Sequence, residues 1–314
     1  MTVKLITHDR VVHADDAFAA AMLRIVYGDV EVVRTREPAI LKAEAGKPGV
    51  FFLDVGGRYD HAHRLYDHHQ PAGAGWRQPA ERRWPYATAG LVWKHYGYQV
   101  VQAMHSGLQP DEVFEVVDFV DETVIKFIDA VDCGVRLKSA GPSISGVIAS
   151  FNTSWFEQDR EVFPLVMDLA QVILGNVITR QVGVVAARTE VRNAPRVHAG
   201  RVLVLEKCMP WTSVVAEEFP DVLCAIYPVP DAGGASWQIR TAVNEDMSAR
   251  MVLPRPWAGL DHGELAAISK VSDAIFCHRN GHLAGAGSQA GALQLAQRTL
   301  DAALVVEPRL AQLA

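Results

Sequence analysis

The chain has 314 residues, 49% apolar and 21% charged, a composition that excludes wholesale disorder and supplies enough chain for two ordinary domains. Thirty basic residues against 36 acidic ones leave a net charge of −6, so the whole molecule is no electrostatic trap for nucleic acid and a polyanion must bind locally. The four cysteines, Cys133, Cys208, Cys224 and Cys277, form no Cys-x-x-Cys pair; they argue against a structural zinc site or a disulfide framework and read as buried thiols.

The opening MTVKLITHDR lacks a cationic leader before an apolar core, and unbroken apolar runs fall far short of the ~18 residues of a membrane span. A cytoplasmic protein with no membrane association is expected. Short apolar runs at Val3–Ile6, Val30–Val33 and Val50–Val55 are separated by helix-length segments such as Asp15–Tyr27, which predicts an α/β domain with a largely parallel sheet. Thr88–Tyr96 and Asp111–Asp129 carry apolar residues at helical spacing, with Gly97 as a stop signal for the first. Glu161 to about Arg192 is long, apolar-rich and free of proline after Pro164, and predicts a helix ending near Asn193-Ala194-Pro195. A boundary there divides the chain into domains at 1–192 and 193–314. Beyond it, strands are predicted at Arg201–Leu205, Val222–Tyr227, Trp237–Val243 and Ala274–His278. Helices are predicted at Thr212–Phe219 and from Ser288 to about Val305, giving a smaller α/β or α+β domain.

Six of the 12 histidines, His8, His13, His61, His63, His68 and His69, fall within the first 69 residues. Four clusters sit just after predicted strands or at helix ends, where open α/β sheets build their sites: Ile6–Asp16, Phe52–Gly57, Tyr66–Gln70 and Ile128–Gly134. Singly, each has an ordinary explanation. Asp15 or Asp16 can cap a helix, a lone imidazole is more often hydrogen-bonded than ligating, and Asp129 at a helix end is expected to be solvated. The coincidence of imidazoles and carboxylates changes that balance, because Asp54 closes an apolar run where an unpaired charge is costly. Cation binding removes the cost, and mixed imidazole and carboxylate donors suit Mn²⁺ or a related ion better than Mg²⁺. The donors suffice for two divalent ions about 3.5–4 Å apart.

His8, His13-x-Asp15, Asp54-Val55-Gly56-Gly57, Asp67-His68-His69, the block Thr88–Gly97 and Asp129-Ala130-Val131-Asp132 together resemble the Myg family, also called melanocyte-proliferating-gene proteins. This is a branch of the DHH phosphoesterase superfamily. Leu253–Leu260 and Ile275–His278 extend the resemblance over nearly the whole chain. The resemblance implies a DHH-type domain with a largely parallel sheet, plus a smaller domain contributing substrate contacts across a cleft. It further implies that His8 and His13 hold one metal, Asp15, His68 and Asp132 the other, and that Asp54 bridges them. His69 would lie beside the substrate phosphate, and Asp67 would fix an imidazole. Three positions depart from the pattern. His13 stands where the superfamily more often has aspartate, which leaves Zn²⁺, Co²⁺ and Ni²⁺ beside Mn²⁺ and Mg²⁺ as candidates. Ala258 replaces an expected arginine, and Ala286-Gly287-Ser288 is less polar than the branch's usual loop.

The activity implied is metal-dependent phosphodiester hydrolysis by in-line attack of a metal-activated hydroxide on phosphorus, with 3′-to-5′ exonuclease action on RNA or short oligonucleotides. His69 and Asp54 are the expected catalytic residues; no protein nucleophile is needed. Two alternatives use the same residues: a small-molecule phosphohydrolase acting on pyrophosphate, a cyclic dinucleotide or a nucleotide phosphate, and a non-catalytic metal-stabilised binding protein. Candidate substrate contacts are Arg83, within the basic and aromatic stretch Trp76–Trp84, and His278, Arg279, Gly281 and His282, followed by Gly285 and Gly287 before a helix. Modest local basic charge favours short, end-bound strands over long duplexes.

Overall fold

The computed structural model describes residues 2–77, 84–137, 141–157, 160–231 and 234–310, and the chain falls into two units, Met1–Val182 and Gly183–Ala314. The first unit begins β1 (Val3–Thr7), α1 (Ala14–Tyr27), β2 (Val30–Arg34), α2 (Pro38–Glu44) and β3 (Val50–Leu53). Two short strands follow, β4 (Tyr59–Asp60) and β5 (Leu65–Tyr66). The sheet order is β2-β1-β3-β5-β4, parallel throughout except for the β4–β5 pair. The chain leaves β1 for β2 on one side and returns to β3 on the other, so β1 and β3 flank the point where strand order reverses. Open α/β sheets bind ligands at the carboxyl ends of such strands. Register then sets which residues meet: Thr7 lies opposite Leu53, and Leu53 opposite Tyr66. His8, Asp54 and Asp67 are therefore each the first residue past a paired position.

Ile6, Val50, Phe52 and Val55 are buried against Val33, Leu41 and Leu65. On α1, every residue from Ala17 to Leu23 is fully buried, and its alanines allow close packing on the next long helix, α3 (Thr88–Met104). Each large buried side chain such as Phe18 or Leu23 contributes about 1.5–3 kcal/mol. Gly97 does not end α3, which continues to Met104. The Trp93 ring lies on this glycine, where a Cβ would come within 2.9 Å of Trp93 Cε2, and the indole N–H donates to the Val117 carbonyl. Burial of the tryptophan offsets the ~1 kcal/mol helix penalty of glycine.

The predicted helix over 111–129 is instead α4 (Pro110–Val120), a π-helical turn (Asp121–Ile125) and α5 (Lys126–Asp132). The turn accompanies a buried arginine. Arg77 donates from Nε and Nη2 to the Asp121 carboxylate at 2.7 and 2.8 Å, and its Nη1 lies 2.8 Å from Asp129 Oδ2. Asp129 Oδ1 accepts from the Gly90 N–H at 2.9 Å. Asp129 is thus fully buried and internally paired, not solvated, and Arg77 is structural.

After the short α6 (Ile144–Ala149) comes α7 (Phe163–Asn193), within which the two units divide. Val166, Ala170, Leu174 and Ile178 form its buried stripe in the first unit, and Asp168 pairs with Arg24 of α1. Contrary to the reading from unbroken apolar runs, α7 is long and apolar enough to cross a membrane by length and composition, because its interrupting residues are mostly small or uncharged.

The second unit contains β6 (Arg196–Val197), β7 (Val202–Val204), α8 (Thr212–Glu218), β8 (Cys224–Asp231) and β9 (Gly234–Thr241). It continues with α9 (His262–Ser269), β10 (Ala274–Cys277), β11 (Leu283–Ala286) and α10 (Gln289–Leu310). Its sheet order is β10-β11-β9-β8-β7-β6, with only β7–β8 parallel, an α+β arrangement. Of the cysteines, only Cys224 and Cys277 are buried; Cys133 is half-buried and Cys208 exposed.

Gly90 gives the sharpest test of this packing. A Cβ there would stand 1.8 Å from Asp129 Oδ2 and 2.5 Å from Arg77 Nη2. Gly90→Ala is expected to lower stability by about 3 kcal/mol, read as a fall in the urea midpoint; an unchanged midpoint contradicts the buried pairing.

Candidate metal centre

The loop from His8 to His13 is anchored by three side chains. Arg34, at the end of β2, donates to the carbonyls of His8 at 3.1 Å, Arg10 at 2.8 Å and Val11 at 3.4 Å. Arg36 donates to the Asp9 carbonyl, and Asn152 both accepts from the Val12 N–H and donates to the Val12 carbonyl. His13 occupies the N-cap position of α1, which places Asp15 and Asp16 in its first turn, where the helix dipole favours negative charge. Both aspartates are fully buried. Asp16 accepts from the Thr7 hydroxyl at 3.0 Å, whereas neither Asp15 oxygen has a hydrogen-bond partner among the described residues.

On the neighbouring strand, Asp54 adopts a left-handed φ of +54°, a conformation aspartate tolerates better than most residues. Its N–H donates to the Tyr66 carbonyl, which turns the end of β3 toward β5. Gly56 and Gly57 follow at φ of +102° and +70°, and the Gly57 N–H donates to Asp67. This tight turn explains the Asp-Val-Gly-Gly sequence, because both glycine positions disfavour side chains.

The Asp54 carboxylate, 2% exposed, has imidazoles on both sides. Its Oδ2 lies 3.3 Å from His8 Nε2 and 3.9 Å from His13 Nδ1; its Oδ1 lies 3.3 Å from both His68 Nε2 and His69 Nδ1. Asp132, the last residue of α5, reaches His68 Nε2 at 2.9 Å and His13 Nδ1 at 3.7 Å. Three groups have donor atoms within 4.8 Å of one another: His8, His13 and Asp54; Asp54, His68 and His69; and His13, Asp15 and Asp132. All six residues assigned to metals from the sequence lie in this cluster. The grouping is less sharply divided than that assignment, since His13 also sits with Asp15 and Asp132, and His69 also reaches Asp54.

Burial pushes the Asp15 carboxyl well above its usual range, reinforced by the negative charge of Asp54, Asp132 and Asp16. Burial likewise moves Asp16 up to about 7 despite His8 nearby. Asp54 behaves oppositely: burial alone would raise it, but hydrogen bonds with His68, His69 and His8 hold it far below the ordinary carboxylate value. Burial works against protonated His68, yet Asp132 and Asp54 raise its pKa strongly. His69 rises to about 9, chiefly through Asp54, with burial opposing and Asp67 assisting. Concentrated carboxylates, a wholly buried carboxylate with no hydrogen-bond partner among the described residues, and imidazoles around a shared oxygen fit divalent cations on both electrostatic and donor grounds.

His69 has a 62% exposed side chain, oriented by Asp67 Oδ1 at 2.8 Å from its Nδ1. His61 and His63 stand apart from the cluster. His61 stacks on His95 with centroids 3.6 Å apart and bonds the Tyr66 hydroxyl, while His63 pairs with Asp60. Two contributors had no motif to reveal them, Arg34 and Asn152; Cys133, inside the Ile128–Gly134 cluster but read only as a buried thiol, has its Sγ 3.6 Å from His68 Nδ1. Only the polar residues' placement beside the loop in three dimensions marks them.

In the second unit, His278, Arg279, Gly281 and His282 lie on the turn joining β10 to β11. The His278 and His282 rings are 4.3 Å apart, and Gly281 has φ of +66° with its carbonyl accepting from Leu253. Gly285 and Gly287 do not form a phosphate loop. Gly285 admits the Phe276 ring, to which a Cβ would come within 2.6 Å, and the start of α10 already faces the Asp273 carboxylate, bonded by Ser288. Arg83 lies outside the described residues.

The MYG1_exonuc family model, described as "Uncharacterised protein family (UPF0160)", matches residues 4–300. Human MYG1 exonuclease is 29% identical over 324 residues, covering 94% of this chain and 85% of the human protein. Mouse MYG1 exonuclease is 30% identical over 331 residues, covering 94% and 84%. The solved structure of a pGpG-specific phosphodiesterase, PggH from Vibrio cholrae, aligns with 96% of this chain and 99% of its own at 12% identity, but its TM-score of 0.29 is too low to inform the fold. With the family model matching almost from end to end, the chain belongs to the MYG1 exonuclease family.

Proposed function

We propose that the protein is a divalent-metal-dependent phosphodiesterase acting as a 3′-to-5′ exonuclease on RNA or short single-stranded oligonucleotides. One observation carries the metal-dependent chemistry: the buried Asp54 carboxylate offers one oxygen to His8 and His13 and the other to His68 and His69. Relatives named MYG1 exonuclease support the choice of a nuclease reaction. The first unit is accordingly read as a DHH-type catalytic domain.

In this reading His8 and His13 would hold one cation, Asp15, His68 and Asp132 a second, and Asp54 would serve both. When bound, divalent cations, with Mn²⁺ best matched to the donors, would acidify water near neutral pH and offset charge on phosphoryl oxygens. Asp67 fixes the His69 ring through Nδ1, leaving Nε2 for the substrate. That ring can bond a phosphoryl oxygen or pass its Nε2 proton to the leaving oxygen. Asp67 would maintain this orientation if Asp54 served a cation. Arg34 and Asn152 keep His8 and His13 in place by fixing the intervening backbone. His278, Arg279, Gly281 and His282 remain proposed substrate contacts.

Asp54→Asn removes charge at the shared position while preserving shape. Hydrolysis of a labelled oligoribonucleotide by the Mn²⁺-loaded variant should fall about 10³-fold, equivalent to losing about 4 kcal/mol of transition-state stabilisation. Near-wild-type rates would overturn the assignment. His68→Ala should lower the bound Mn²⁺ per chain in elemental analysis, and unchanged content would remove His68 from the ligand set.

Cation uptake also has a predicted pH dependence. Asp132 and Asp54 raise the His68 pKa and so favour its protonated ring, whereas a ligating nitrogen must be deprotonated. Mn²⁺ binding is therefore expected to release protons, and apparent affinity to rise about tenfold per pH unit for each proton released between pH 6 and 8. Calorimetry in buffers of different ionisation enthalpy measures the release; zero release with pH-independent affinity contradicts this electrostatic account.

A further inference from the structure

Next to His13 lies a basic surface that the catalytic reading leaves unused. Arg10 and Val11 line two cavities of about 440 and 640 Å³. The first is also bordered by Asp9, His13 and Arg36, the second by Arg34, Asn152, Arg160 and Glu161. Both volumes fall in the roughly 300–1,000 Å³ range of small-ligand sites. Arg36 is paired with Asp9 at 2.7 Å and Arg34 with Glu161 at 3.1 Å. The exposed Arg10 and Arg160 guanidinium groups make no hydrogen bond or ion pair among the described residues. Two exposed arginines without a direct side-chain partner among the described residues therefore border cavities on a protein of net charge −6, Arg10 sharing the field of the Asp9 carboxylate with Arg36.

Arg10 has φ of +70°, a left-handed conformation that costs a non-glycine residue about 1–2 kcal/mol. The Arg34 bond to its carbonyl holds this geometry. Nearby in the chain, Trp155 is 94% and Phe156 72% exposed, with ring centroids 5.7 Å apart and planes nearly perpendicular. They lie just beyond Asn152, which is bonded to the His8–His13 loop at Val12. Exposed aromatic faces near unpaired arginines suit single-stranded nucleic acid, because bases stack while guanidinium groups meet phosphates.

We propose that Arg10, Arg160 and the Trp155–Phe156 pair form a single-strand track beginning beside His13, which binds phosphates and a base beyond the scissile linkage. This deepens the phosphodiesterase reading, on which it rests for the direction of the strand toward the metal centre. The preferred substrate is then a single-stranded oligonucleotide of several nucleotides, in preference to a dinucleotide or a small phosphate ester. Asp9 and Glu161 do not oppose phosphate strongly, because Arg36 and Arg34 neutralise them.

The direct test is fluorescence anisotropy with a fluorescein-labelled single-stranded octaribonucleotide in EDTA, where binding is read without cleavage. Arg10→Gly retains a residue suited to the left-handed backbone, and Arg160→Gln and Trp155→Ala alter exposed side chains. Each should weaken binding about tenfold, and each arginine substitution should reduce the magnitude of the log Kd against log salt slope by about 0.7. Trp155→Phe should restore most of the binding lost in Trp155→Ala. With Mn²⁺, the loss of kcat/KM on the octanucleotide should exceed that on bis(p-nitrophenyl) phosphate by about tenfold. Wild-type-like binding by the variants overturns the track while leaving catalysis intact. Failure of the wild type to bind the octanucleotide, with hydrolysis of bis(p-nitrophenyl) phosphate retained, does the same. Binding through these residues without hydrolysis of either substrate under any divalent cation supports the track and overturns the phosphodiesterase reading. Unchanged RNA binding with a Trp155→Ala shift from dimer to monomer instead identifies a self-association surface and overturns the proposal.

Discussion

A carboxylate at the end of a buried strand, surrounded by imidazoles, is the constraint around which the first unit is arranged. Asp54 sits where the parallel register places it beside the ends of β1 and β5, and its left-handed φ turns the chain toward the latter. An ionised group buried to this degree must be compensated. Histidines supply that compensation from two directions, although Asp15 still has no hydrogen-bond partner among the described residues. The proposed pair of divalent cations would meet both demands with the donors present.

The same unit contains a contrasting buried ionic network. Arg77 joins Asp121 and Asp129 with short, directed contacts, while the Gly90 N–H satisfies the remaining Asp129 oxygen. Arg77 compensates both carboxylates from within the protein, and the contacts tie α3, the π-helical turn and α5 together. The Asp15–Asp54–Asp132 cluster instead gathers like charges around imidazoles, a pattern better suited to capturing an external cation. Asp129 and Asp132, one helical turn apart, consequently have different partners and different proposed uses.

Much of this organisation is legible along the sequence. Short apolar runs identify β1, β2, β3 and several strands of the second unit, and the His-x-Asp, Asp-Val-Gly-Gly and Asp-His-His segments lead to one cluster. Gly97 misleads because packing of Trp93 overrides its local effect, and the π turn is invisible to a 3.6-residue pattern. Two-residue strands such as β4 and β5 are too short to show a period. Arg34 and Asn152 escape notice because their importance comes from contacts with distant backbone groups, and no motif distinguishes a surface asparagine from one holding a ligand loop. Gly285 resembles part of an anion loop until Phe276 is seen packed against it.

The most direct measurement of the central claim is an anomalous difference map from crystals soaked in Mn²⁺. The account predicts two peaks roughly 3.5–4 Å apart, one on each side of the Asp54 carboxylate, with His8 and His13 beside one and His68 beside the other. A well-occupied map with no peak in this cluster, or with Mn²⁺ only elsewhere on the molecule, would contradict it.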